Sequence, residues 1–158
     1  MDLGISANVA PLLEEVKRFI EEQVLPVEHE FIAEIDVGDR WQHTDRQLEI
    51  MSTLKDKARS SGLWNFFLTD GESGSGLNTV EYAYLAEEMG KSHLAAEMFN
   101  CAAPDTGNME VLHKYGTEAQ KKQWLEPLMN GDIRSAYAMT EPGVASSDAT
   151  KIFTEAVL

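Results

Sequence analysis

Thr117-Glu118-Ala119-Gln120-Lys121-Lys122-Gln123-Trp124-Leu125-Glu126-Pro127-Leu128-Met129-Asn130-Gly131 reads as a helix from both ends, and the residues after it do not. Thr117 and Gln120, three positions apart, make a capping box in which each side chain satisfies a free N–H of the first turn. Trp124, Leu125, Leu128 and Met129 recur at helical spacing, and Gly131 is the stop. Pro127 is awkward inside such a helix because it brings no N–H. At Arg134 the texture switches. Ser135-Ala136-Tyr137-Ala138-Met139-Thr140 is short and mostly apolar, the pattern of a buried strand, and Glu141-Pro142-Gly143 is a turn. The small residues that follow, Val144-Ala145-Ser146-Ser147, run to Asp148 and make a loop suited to holding a polar ring edge or a phosphate. The expected division is a helical domain over residues 1–132 and the beginning of a β domain over 133–158.

Upstream the chain is helical throughout. Leu12, Leu13, Val16, Phe19, Ile20, Val24, Val27 and Phe31 form one apolar stripe, with Glu14, Glu15, Lys17, Arg18, Glu21 and Glu22 on the faces between. Pro26 is expected to kink or break this helix. Thr44 and Gln47 form a second capping box, before a helix whose stripe reads Leu48, Met51, Leu54 and Ala58 and whose stop is Gly62. Leu63 to Leu68 is a short apolar run, followed by a glycine-rich turn over residues 70–77 that has no third glycine at the dinucleotide-binding offset. Asn78 with Glu81 opens the next helix, which runs to Gly90; Asp105 is placed to cap another carrying Met109, Val111, Leu112 and Tyr115. The fold class that follows is mainly α, a helical bundle ahead of one strand and loop.

Composition narrows the function. In 158 residues there are 13 Lys and Arg against 27 Asp and Glu, a formal charge of −14. A chain of that sign lacks the basic footprint of a nucleic-acid binder and is repelled by anionic membrane surfaces. Cys101 is the only cysteine, which excludes an internal disulfide and places a small thiol in an apolar stretch, where it is expected to be buried. No apolar run reaches a membrane span, and Met1-Asp2-Leu3-Gly4 begins neither a signal nor a transit segment, so a cytoplasmic location is expected.

Tyr137-Ala138-Met139-Thr140-Glu141-Pro142-Gly143-Val144-Ala145-Ser146-Ser147-Asp148 resembles the flavin-binding signature of acyl-CoA dehydrogenases. Lys114 to Leu128 resembles that family's Y-G-T/S-E-x-Q-K-x-x-W/Y-L-x-P-L helix, and Ala103-Pro104-Asp105-Thr106-Gly107-Asn108-Met109-Glu110 resembles one branch of it, leaning towards longer acyl chains. The resemblance implies the N-terminal helical bundle of an acyl-CoA dehydrogenase and the first strand and loop of its middle β domain. It implies FAD as cofactor, with Tyr137 and Met139 along the ring, Thr140 on its pyrimidine edge, and Ser146 and Ser147 in the cofactor loop. Ser147 would meet the pyrophosphate and lie near the acyl-CoA substrate. The implied reaction removes an α proton to a glutamate base and a β hydride to the flavin, leaving a 2,3-enoyl-CoA and passing electrons to an electron-transfer flavoprotein. That base belongs to a later helical domain, so no catalytic residue is assigned here, and Glu110 and Glu141 do not inherit the role.

Family members are much longer, so the chain is read as a truncated fragment with one edge of a flavin site. Two alternatives stand beside it. One is a non-catalytic helical module that docks on a partner chain or on itself through apolar faces such as Trp64, Phe66 and Phe67. The other is an acidic helical metal-binding bundle, for which Glu110-Val111-Leu112-His113 supplies one Glu-x-x-His spacing and nothing supplies a second.

Overall fold

Two prolines and three capping boxes decide how the helices start, bend and stop. The computed structural model describes residues 3–69, 74–144, 148–155 and 157. Helix α1 (Ala10–Phe19) passes through a π turn, Ile20–Val24, into α2 (Leu25–Ala33). Pro26 offers no N–H, and its ring would crowd the Glu22 carbonyl in a regular helix. The π turn takes up one extra residue, the Leu25 N–H reaching back to the Ile20 carbonyl, so the expected kink is made without ending the helical path. Pro127 is handled the same way. The π turn Lys121–Leu125 joins α7 (Glu118–Gln120) to α8 (Glu126–Asn130), and the Glu126 N–H meets the Lys121 carbonyl.

Both expected capping boxes form, and Asn78 with Glu81 makes a third. Thr44 starts α3 (Asp45–Ser60), Asn78 starts α4 (Thr79–Met89) and Thr117 starts α7. Between them lie α5 (Ala95–Met98) and α6 (Asp105–Tyr115). Gly62 and Gly131 follow α3 and α8 in left-handed conformation. There the next residues, Leu63 and Asp132, bond back to Ala58 and Pro127 as a Schellman stop requires.

Three local expectations need correction. The stripe of α3 is Gln47, Ile50, Leu54 and Ala58, with Leu48 half exposed. Gln47 turns inward because its amide donates to the Phe31 carbonyl at 3.0 Å while its oxygen caps Thr44, so a polar residue takes an apolar position. Asp105 is the first residue of α6 and makes no capping bond; its carboxylate points to residues 134 and 135 instead. Among the described residues the 135–140 segment forms no strand, since a strand needs a backbone partner for its N–H and C=O groups and no described backbone pairs with it.

One apolar core unites the helices. Its centre is an aromatic group in which the Phe99 ring lies 5.2 Å from Phe19 and 5.7 Å from Phe66, tilted against both. Phe66 is therefore buried, Phe67 is buried in the same core and Trp64 is half buried, so these residues are not the exposed docking face expected of an interaction module. Cys101 is buried, as expected. Among the described residues no helix is long and apolar enough to cross a membrane. Residues Asp70–Ser73 of the glycine-rich turn lie outside the described residues.

Candidate functional site

Tyr137, Met139 and Thr140 all lie on the outside of the molecule, Tyr137 at 69% exposure and Met139 at 44%. Among the described residues, the N–H groups of residues 137–140 meet no backbone carbonyl. The segment thus presents a row of donors next to apolar side chains, the complement of a flat polar-edged ring or of a further strand. Ser146 and Ser147 lie outside the described residues.

What holds this segment was not visible in the pattern of apolar residues. Asp105 Oδ1 accepts the Ser135 N–H at 2.7 Å and the Ser135 hydroxyl at 2.6 Å, and Oδ2 accepts the Arg134 guanidinium. Asn108, one helical turn along α6, donates to Ser135 Oγ at 2.8 Å. Arg134 also reaches Glu97 on α5 at 2.8 Å, and Glu97 pairs with Lys55 on α3. Burial by itself would raise the Asp105 pKa; the bonds from Ser135 and Arg134 outweigh it and hold the carboxyl below the ordinary aspartate value. The available signal was Asp105 and Asn108 three apart on one helix face, with Arg134 standing alone where the texture changes.

Beyond the turn, the Glu141 carboxylate accepts the Phe153 N–H at 3.0 Å, the Thr154 N–H at 2.7 Å and the Thr154 hydroxyl. The Thr154 hydroxyl and the two N–H groups draw its pKa below the ordinary glutamate value. Occupied in this way, Glu141 folds the tail against the turn. Asp148 caps the short 3-10 turn Ala149–Lys151 through the Thr150 N–H and hydroxyl.

A groove of about 410 Å³ runs between α6, the 121–125 turn and α8, floored by Val111, Leu112, Trp124, Leu128 and Ile133, with Arg134 and Ser135 at its rim. Val111 and Trp124, expected on apolar stripes, are exposed along it, and Tyr115, expected on the stripe with Val111, is exposed as well. Glu110 and His113 are not joined by further ligands: among the described residues no three His, Cys, Asp or Glu side chains gather as a metal site.

Comparison with known proteins adds to this geometry. A family model described as the acyl-CoA dehydrogenase N-terminal domain matches residues 8–132. Acyl-CoA dehydrogenase family member 10 of Mus musculus is 52% identical over 154 residues, which cover 94% of this chain and 14% of that protein. The probable acyl-CoA dehydrogenase FadE2 of Mycobacterium tuberculosis is 47% identical over 155 residues, 98% of this chain and 37% of its own length. A solved structure described as an acyl-CoA dehydrogenase, from Mycobacterium abscessus, superposes with a TM-score of 0.84 at 51% identity and covers 93% of this chain and 37% of that one. The chain thus spans well under half the length of each of these relatives.

Proposed function

The chain belongs to the acyl-CoA dehydrogenase family, and from that premise we propose that it supplies the N-terminal helical wall and one edge of the flavin site for dehydrogenation of acyl-CoA thioesters to 2,3-enoyl-CoA. The observation that carries this reading is the outward 137–140 segment, whose backbone donors are unmet among the described residues while its root is bolted to α6. Such an edge fits FAD. Tyr137 and Met139 cover the ring with apolar surface and keep water from it, and Thr140 offers a hydroxyl and an N–H at its polar edge. Donors held there before reaction stabilise the negative charge that develops on the ring without reorganising at that moment. FAD, when bound, supplies the hydride acceptor for the substrate β carbon. Ser146 and Ser147 are proposed for the pyrophosphate, Ser147 also for the acyl-CoA.

The α-proton base is proposed to come from a second helical domain outside residues 1–158, and the oxidant of the complete enzyme to be an electron-transfer flavoprotein. Residues 1–132 are proposed as one domain and 133–158 as the start of the next. By itself the 158-residue chain is then a weak flavin binder without dehydrogenase activity. A titration of the isotope-labelled chain with FAD, followed by amide NMR, tests this. Shifts confined to residues near Tyr137 and Thr140 are expected, and no shift at millimolar FAD would end the flavin-edge reading. A yellow protein that reduces an electron acceptor with acyl-CoA would instead overturn the one-edge reading.

A further inference from the structure

We propose that Asp105 is a positioning residue that fixes the direction in which residues 136–140 leave the helical domain, with Arg134 tying the same root to Glu97; this rests on the flavin reading of Tyr137–Thr140. Asp105 touches no substrate or cofactor in that reading and acts through Ser135.

A carboxylate only 4% exposed is costly to keep inside a fold unless its lone pairs are filled. Those of Asp105 are filled from one direction. All three bonds come from two consecutive residues, Arg134 and Ser135, 29 and 30 positions downstream. Helix capping does not explain it, because Asp105 stands one position too late to cap α6 and makes no bond to that helix's N–H groups. Asn108 repeats the choice of target, donating to Ser135 Oγ at 2.8 Å and reaching the Ala136 carbonyl at 3.4 Å.

A single ion pair would leave the segment free to pivot about it. Here Ser135 is held at its backbone N–H and at its side chain together, and Arg134 is held at Nε by Asp105 and at Nη1 by Glu97. Two adjacent residues fixed at both ends leave the path of residue 136 determined, which is how a supporting shell aims a binding edge. The cluster is also neutral: Lys55 and Arg134 balance Glu97 and Asp105. In a chain of net charge −14, a root without net charge spares an anionic cofactor local repulsion.

The test compares the wild-type chain with Asp105→Asn, Ser135→Ala and Ser135→Thr, titrating each with FAD and reading amide shifts at Tyr137 and Thr140. Hydrogen exchange in α3 and α4 reports whether each variant keeps the helical fold. Asp105→Asn and Ser135→Ala are expected to weaken the FAD response about tenfold or more, and Ser135→Thr, which keeps the hydroxyl, to restore it to within about threefold. If Asp105→Asn fails to fold, Ser135→Ala decides, since it removes one hydroxyl. An unchanged FAD response in folded Asp105→Asn or Ser135→Ala overturns the positioning role and leaves the flavin reading standing. No response in the wild-type chain removes the flavin reading and the positioning role with it.

Discussion

Asn65 and Asn100 both hold left-handed backbone, at φ +57° and +55°, and the Asn100 amide donates to the Asn65 side-chain oxygen at 2.7 Å. The two strained turns meet over the end of α8. Asn100 also donates to the Leu128 carbonyl at 2.9 Å, and Asn65 and the Trp64 indole donate to the Met129 carbonyl at 2.9 and 2.8 Å. The Met129 carbonyl is one that a helix end leaves without an intrahelical partner, and the Leu128 carbonyl takes the Asn100 amide besides the Gly131 N–H. Asparagine suits both positions, since it tolerates positive φ better than most side chains and brings two donors.

Asn100→Ala should therefore lose stability for two separable reasons, the left-handed backbone and the lost amide bonds to Asn65 and Leu128. Together they amount to about 3 kcal/mol. Asn100→Gly removes only the bonds and should cost about 1 kcal/mol less. Urea denaturation of both variants reads the difference. Equal losses would mean that the positive φ of Asn100 carries no strain.

Gly62 and Gly131 end α3 and α8 at almost the same φ, +72° and +71°, yet their surroundings differ. Nothing lies near a Cβ placed on Gly62, whereas one on Gly131 would stand 2.9 Å from Trp64 Cζ2. Gly62→Ala should cost about 1 kcal/mol, the conformational part alone. Gly131→Ala adds the displacement of an indole that bonds Met129 and stacks under Arg59 at 4.6 Å, for about 2–4 kcal/mol in all. Trp fluorescence should shift only for Gly131→Ala, and the same loss in both variants would show that the indole yields freely.

Cys101 should be inert in the folded chain. Burial pushes its thiol up to about 12, with only partial relief from the Phe67 and Phe66 N–H groups and the Tyr82 hydroxyl. At pH 8 that leaves about one thiolate in ten thousand, and the thiolate is the nucleophile. Mass spectrometry after iodoacetamide treatment should find native protein unmodified and urea-unfolded protein carrying one adduct. Rapid labelling of native protein would contradict the burial.

The helical domain was legible because its punctuation is local. Thr44, Asn78 and Thr117 each cap within three residues, and Gly62 and Gly131 each end a helix by their own backbone freedom. What escaped depends on residues far apart in the chain. Gln47 takes a core position because the Phe31 carbonyl, 16 residues earlier, needs a donor. Asp105 stands where a cap belongs by pattern, but Ser135 and Arg134, about 30 residues later, claim its carboxylate. The apolar run 135–140 read as a strand from its own composition, whereas sheet structure also needs a neighbour to pair with. Phe66 and Phe67 read as surface only on the assumption that their cover lay elsewhere; Phe66 packs on Phe99, and Phe67 is buried in the same core.

Acid should unfold the chain chiefly through two carboxylates that are buried as well as hydrogen-bonded, Glu81 and Asp105. Glu81 on α4 accepts the Ser6 hydroxyl at 2.5 Å, the Asn78 N–H at 2.9 Å and the Asn8 amide at 3.3 Å, tying the chain before α1 to the start of α4. The Ser6 and Asn78 bonds hold its pKa below the ordinary 4.5. Asp105 is likewise held below the ordinary 3.8, its burial outweighed by Ser135 and Arg134. A group whose folded pKa is depressed contributes stability that is full above its unfolded pKa and is lost as pH falls through the folded one. Unfolding free energy should thus be level from neutral pH down to about 5 and fall below about 4.5. Glu81→Gln keeps one acceptor without the charge, so it should be less stable at pH 7 and show a shallower fall in acid. Asp105→Asn should flatten the lower part of the same curve. Urea midpoints measured from pH 7 down to about 3 check both slopes, and a Glu81→Gln curve parallel to wild type through that range would show that Glu81 does not drive the acid transition.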